Sequence, residues 1–128
     1  MNTTSSIIET DVSRIEINDR GFLQITLMDT GKSFDVAEAN RQIAAAYELT
    51  GGRNYKVLVD TTQSSLSPSS EVKKAIADVE HKIKEAILVN SLGNRILGNI
   101  YLKIINRRYP SKIFTDREAA IQWLLEVE

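Results

Sequence analysis

The side chains best able to do chemistry crowd into one stretch. In VLVDTTQSSLSPSSEVKKA, residues 57–75, seven Ser and Thr hydroxyls fall within the ten residues 61–70, directly after an apolar run that ends in Asp60. Hydroxyls both donate and accept hydrogen bonds, and at a helix start they stand beside unpaired backbone N–H groups that attract anions. Three chemistries fit: capping of a helix, binding of a phosphate or carboxylate, and phosphorylation of a serine. Ser67 before Pro68 is a preferred cap followed by a preferred first helical residue, and Glu71 suits the helix dipole. Capping explains one serine; Ser64, Ser65, Ser69 and Ser70 remain as solvated filler or as part of an anion or phosphoryl site.

Other chemistries find little material. The chain has no cysteine, so thiol nucleophiles, thiolate metal sites and disulfides are excluded. Its one histidine, His81, falls opposite the apolar stripe that begins at Val72, counted at roughly 100° per residue, and is expected to face water. No triad or zinc site can be assembled from that set, and no cofactor or metal is expected. Carboxylate chemistry is left to Asp60 and Asp116, although an Asp at a strand end usually bonds loop amides. Gly51-Gly52 joins a helix to a strand, the reverse of the order in a phosphate loop, and reads as a helix stop.

The net charge of −1 provides no global field for nucleic acid or membrane. Residues 86–115 nonetheless hold Arg95, Lys103, Arg107, Arg108 and Lys112 without an acid, which reads as a solvated basic rim around a helix end in preference to a nucleic-acid or lipid-headgroup patch. No apolar run approaches the roughly 20 residues of a membrane span. The start, MNTTSSIIETDVS, lacks the pattern of a secretion signal, so a cytoplasmic setting is expected. The length suits one domain over residues 1–128, with residues 1–9 expected to be flexible.

The elements that must position these groups follow from periodicity. SRIEIND and FLQITLM alternate around NDRG, whose Gly21 suits a hairpin turn. FDVAEANRQIAAAYELTGG reads as a helix capped by Asp35, with Glu38 at the capping-box position and Val36, Ala39, Ile43 and Tyr47 as its apolar positions. YKVLVD has the apolar character of a strand covered on both faces. A second helix is expected from Ser67 to about residue 84, then a strand over AILVN, a third helix over LGNRILGNIYLKIINRR ended by Tyr109-Pro110, a strand over SKIF, and a last helix over TDREAAIQWLLEVE. There Thr115 and Glu118 stand as a capping box and Ala119, Ala120, Trp123, Leu124 and Val127 as the buried face. The order predicts an α/β fold: a mainly parallel central sheet of about five strands, an antiparallel N-terminal hairpin and about four helices. Ligands in such sheets collect at the carboxyl ends of the strands. That makes Asp60, Thr61, Thr62, Ser64, Ser65, Ser67, Asn90 and Ser91 the candidates for an anion, ligand or phosphoryl site.

The third helix carries two stripes. At roughly 100° per residue from Leu92, the residues Gly93, Ile96, Leu97, Ile100 and Ile104 fall between about 40° and about 140°, enough to seat a helix on a sheet. Gly98, Tyr101, Leu102 and Ile105 fall between about 180° and about 280°, a second apolar seam that needs its own cover. The last strand or helix, a second subunit, or an apolar ligand would each supply it.

This order of elements, and above all AILVNSLGNRILGNIYLKIINRRYPSKIFTDREAAIQWL, resembles the SpoIIAA-like branch of the STAS superfamily, small bacterial domains related to anti-sigma-factor antagonists. The closest match is the tail KIFTDREAAIQWL, and the resemblance covers most of residues 10–126. It implies a mostly non-enzymatic protein that binds a partner protein, a nucleotide or a lipid-like ligand. In phosphoregulated members a partner kinase modifies a serine in an Asp-Ser-Ser-Gly type motif after a central strand. Here the equivalent region reads VDTTQSSLSPSS, which keeps Asp60 and its hydroxyls but not the motif. The reading favoured is a non-catalytic cytoplasmic binding or regulatory module that docks a regulatory protein partner or itself as a homodimer, with no nucleic acid and no membrane span. The alternative is a carrier or sensor of a small lipid-like or anionic ligand.

A second subunit over the second seam leads to a definite outcome for Leu102→Glu. The variant is expected to be a folded monomer where the wild type is a dimer, read by circular dichroism with light scattering. An intramolecular cover would instead bury the new charge at a cost of several kcal/mol and unfold the chain.

Overall fold

The computed structural model describes residues 6–65, 69–94, 96 and 109–126. Ile7–Glu9 (β1), Ser13–Ile17 (β2) and Leu23–Leu27 (β3) form an antiparallel meander. Helix α1 (Val36–Thr50) leads to β4 (Tyr55–Asp60), α2 (Ser70–Ala77) to β5 (Lys82–Leu88), and β6 (Ser111–Phe114) to α3 (Arg117–Leu125). The strands lie in one sheet in the order β1-β2-β3-β4-β5-β6, parallel from β3 onward. Among the described residues six strands are present rather than about five. The addition is β1, which pairs Ile7–Glu9 with Arg14–Glu16 in the stretch where flexibility was expected.

The hairpin turn forms as its residues require. Asn18 N–H donates to Phe22 O at 2.7 Å, Gly21 N–H donates back to Asn18 O at 2.9 Å, and Gly21 takes φ 95°. A left-handed conformation of this kind is cheap only without a Cβ.

Strands that follow one another across a parallel sheet, joined by right-handed crossovers, put every crossover helix on the same face. Accordingly α1 packs on α2, and Ala45 and Ala46 of α1 join Ile15, Leu23, Ile25 and Val57 in one core. The opposite face falls to α3, whose Ala120, Ile121 and Leu124 pack on Phe22, Leu58, Ala86 and Leu88. Neighbours Val57 and Leu58 point to opposite sides and are both fully buried, so β4 is covered on both faces as its sequence implied.

Several boundaries and faces differ from expectation. The buried face of α1 consists of Glu38, Ala39, Gln42, Ala45, Ala46 and Thr50, whereas Val36 is exposed and Tyr47 is 58% exposed. Helix α2 is short and is capped by Ser69, whose side chain accepts from Val72 N–H at 3.3 Å; Ser67 lies outside the described residues. Strand β5 begins at Lys82, inside the stretch assigned to the second helix. Its charged character hid it, and each charge is answered by groups brought beside it in the fold. Lys82 Nζ lies 3.1 Å from Glu85 Oε2 and donates to Tyr109 Oη at 3.3 Å, and Ser111 Oγ donates to Glu85 Oε1 at 3.0 Å. Lys84 donates to Trp123 O at 2.5 Å, with its ammonium 4.5 Å from that ring's centre. Asp116, not Thr115, caps α3 by accepting from Ala119 N–H at 2.9 Å, and Glu118 pairs instead with Arg20 at 3.2 Å. Ala119 is exposed and Ile121 takes its place in the core. Residues 92–94 and 96 are helical, and Ile96, expected against the sheet, is exposed.

Asp35 caps α1 as expected, accepting from Glu38 N–H at 2.8 Å, but the Glu38 side chain does not reach back to it. Glu38 is fully buried and ties α1 to the β1–β2 turn. Its Oε2 accepts from Thr10 Oγ1 at 2.5 Å, Val12 N–H at 2.9 Å and Gln42 Nε2 at 3.2 Å. Its Oε1 accepts from Arg41 Nε at 2.9 Å and Asp11 N–H at 3.3 Å. Burial, the largest single influence, pushes its pKa up, but the hydrogen bonds from Thr10, Val12, Arg41 and Gln42 together outweigh it and hold the carboxyl below the usual glutamate range.

A folded-state pKa below the unfolded one contributes stability that is complete above the ordinary glutamate range and is lost as pH falls through the folded value. Glu38→Gln is therefore expected to lower stability by about 2 kcal/mol near neutral pH, since buried donors lose a charged acceptor. The same variant should flatten the acid limb of stability against pH. Urea unfolding from about pH 6 down to about pH 3 reads both effects.

Candidate functional site

The carboxyl ends of β3, β4 and β5 bring Asp29, Asp60 to Ser65 and Asn90 to one edge of the sheet. Asp60 is the buried anchor. Its Oδ1 accepts from Thr62 N–H at 2.8 Å and Thr62 Oγ1 at 2.6 Å, and its Oδ2 lies 3.3 Å from Arg117 Nη1. Arg117, the first residue of α3, also donates from Nη2 to Gln24 Oε1 at 2.8 Å, so it joins β3, β4 and α3. Thr61 turns inward, its Oγ1 donating to Leu88 O at 2.7 Å and its N–H to the same oxygen at 3.0 Å. Asn90 Nδ2 donates to Thr62 O at 3.0 Å. Ser91 Oγ accepts from Asn94 N–H at 3.1 Å, the pattern of a cap on the helical residues that follow.

The outer part of the loop is held by one carboxylate. Asp29 Oδ1 accepts from Ser65 N–H at 3.0 Å and from Ser64 Oγ at 3.3 Å, and Oδ2 accepts from Ser65 Oγ at 2.8 Å. The Ser65 backbone donor and then the Ser65 hydroxyl, helped last by the Ser64 hydroxyl, hold the Asp29 pKa below the usual carboxylate range against the opposing effect of burial. Two loop amides, those of Thr62 and Ser65, thus already face carboxylates of the chain itself. Hydrogen-bond donors that would suit an external anion here have an internal one.

The structure therefore brings Asp60, Thr61, Thr62, Ser64, Ser65, Asn90 and Ser91 to one edge of the sheet, while Ser67 lies outside the described residues. Gly98, Tyr101, Leu102 and Ile105 also lie outside them, as do Arg95, Lys103, Arg107 and Arg108 of the basic stretch. Asp116 is occupied in capping α3. His81 follows α2 rather than lying on it and is half-buried, its ring centre 5.7 Å from that of Tyr47; its water-facing placement is corrected because the helix on which it was counted ends at Ala77. Sequence reasoning missed Asp29, Arg117 and Gln24. Asp29 reaches this edge through the parallel pairing of β3 with β4, which no local sequence pattern announces. Among the described residues, no group of three or more His, Asp or Glu side chains is placed to hold a metal ion.

The parallel sheet, the antiparallel N-terminal hairpin and the helices on both faces together make a SpoIIAA-like fold. The chain is similar to the crystal structure of an uncharacterized protein of the DUF3478 family with a SpoIIAA-like fold from Shewanella loihica PV-4. The TM-score is 0.62 at 13% identity, covering 97% of this chain and 98% of that one. Residues 15–128 match the family described as a domain of unknown function, DUF7793, and the chain belongs to it. A protein of unknown function from Arthrobacter sp. FB24 aligns at 23% identity over 92% of this chain and 96% of that one, with a TM-score of 0.32. Among curated proteins none matches.

Asp29→Ala should free the outer loop without touching the core. The Ser65 amide is expected to exchange with deuterium about fivefold faster or more, the loss of one exposed charge-assisted hydrogen bond, with the melting temperature nearly unchanged.

Proposed function

We propose that this chain is a non-catalytic cytoplasmic regulatory module of the STAS type, which docks a partner protein or a second copy of itself. Its docking and phosphoryl-accepting surface is the edge formed by Asp60, Thr61, Thr62, Ser64, Ser65, Asn90 and Ser91, with Ser67 added on the grounds of the sequence alone. One observation carries the reading: the Asp29 carboxylate latches Ser64 and Ser65 at an exposed position. A phosphoryl group carries a charge of about −1.5 to −2 near neutral pH. On Ser65 it would stand against Asp29 and expel the loop from its latched position. On the far side of that latch Thr61, Thr62 and Asp60 are tied into the sheet, so the change would stay local and leave the core intact. A surface that can change shape and charge without unfolding the domain is what a regulated docking module needs. Self-association falls to the seam of Gly98, Tyr101, Leu102 and Ile105, on the grounds of its apolar spacing alone.

Ser64→Asp and Ser65→Asp imitate the added charge. Both are expected to keep the wild-type melting temperature within about 2 °C, consistent with a surface change of at most about 0.5 kcal/mol. Both are also expected to change the sedimentation behaviour of the purified protein, or its co-purification with a partner from its native cells. Intact-mass measurement on protein from those cells should show a phosphoryl group within residues 61–70. Indifference of every association to both variants, with no phosphoryl group found, would leave the hydroxyls as cap and filler.

A further inference from the structure

At the opposite end of the sheet, around the amino ends of β4 and β5, lies a groove of about 420 Å³. Buried Phe22 forms part of its lining, with Ile17 of β2, Ile83 of β5 and Leu125 of α3 beside it. These last three are large apolar side chains from three separate elements, and they are 36%, 45% and 39% exposed. Among the described residues the lining contains three cations, Arg20, Arg53 and Lys56, and no acid. Arg20 is held by Glu118 at 3.2 Å, but among the described residues neither Arg53 nor Lys56 has a carboxylate partner. In a chain of net charge −1 this is a local excess of positive charge beside uncovered apolar surface.

We propose that this groove binds a small amphiphilic carboxylate of the medium-chain fatty acid kind, with its head group on Arg53 and Lys56 and its hydrocarbon on Ile17, Ile83 and Leu125. The volume suits one small molecule, and an apolar lining with a few convergent polar groups is the usual make-up of such a site. Exposed cations alone bind a carboxylate weakly, so they choose the sign of the charge while the hydrocarbon provides most of the affinity. The site is independent of the hydroxyl-rich edge, where the chain's own carboxylates already occupy the anion-seeking donors.

Titration of ¹⁵N-labelled protein with monomeric decanoate tests this. Saturable shifts are expected at the amides of Gly21, Asn54, Lys56, Ile83 and Leu125. Decanoate should bind about tenfold more tightly than octanoate, because each buried methylene is worth about a fourfold gain in affinity, less where burial is partial. Arg53→Glu with Lys56→Glu should weaken decanoate by about tenfold while the far-ultraviolet dichroism stays as in wild type. Absence of saturable shifts in the wild type would overturn the proposal, as would shifts centred on residues 60–65 or an affinity untouched by reversing both charges. Binding to phosphatidylglycerol vesicles without binding to monomeric decanoate would also overturn it, by assigning the cations to a membrane surface.

Discussion

Strands β3 to β6 run side by side in sequence order, and this constraint governs the rest of the structure. The crossovers through α1 and α2 fall on one face, and the other is covered by a helix that follows the last described strand. That helix is α3. Nine residues must cover Phe22, Leu58, Ala86 and Leu88, and Ala120 and Leu124 do so with no exposed surface left. The same docking carries Arg117 to Asp60 at one end and Trp123 over Lys84 at the other. A helix whose composition is ordinary thereby joins the core to the candidate site.

Burial on both faces sets a second condition, because charged residues in covered positions must be paired or hydrogen-bonded. Two carboxylates meet it in different ways. Glu85 is matched by the Lys82 ammonium and the Ser111 hydroxyl. Glu38 is matched by a half-exposed guanidinium, two backbone amides, a hydroxyl and a side-chain amide. Neither group has a role at the carboxyl edge of the sheet. Both fix one element against another, α1 against the first turn and β5 against β6.

The two ends of the sheet differ in what they leave unanswered. At the carboxyl end the loop is rich in donors, and Asp29 and Asp60 take the best placed of them, so the surface is internally balanced and held in part by a single exposed latch. At the amino end Arg53 and Lys56 stand beside exposed Ile83 and Leu125, and nothing within the described residues balances the charge or covers the carbon. A balanced edge suits regulation by a change of charge, whereas an unbalanced groove suits a ligand.

The sequence by itself determined the order of strands from β2 onward, the Gly21 turn, the cap at Asp35 and the two-sided burial of YKVLVD, because each depends on residues that are neighbours along the chain. It determined too that Asp60 and the hydroxyls after it stand at a strand's carboxyl end. The tertiary structure alone decided which face of α1 is buried, because Glu38 and Gln42 read as polar until a partner turn provides donors for them. It decided that KIKEAIL is a strand, since its charges are tolerable only beside Tyr109, Ser111 and Trp123, which lie far along the chain. It also decided that Asp29 belongs to the site, through a parallel pairing of β3 with β4. Local preferences act through bonds a few residues apart; burial and charge pairing act through space, and only the folded chain says which distant groups meet.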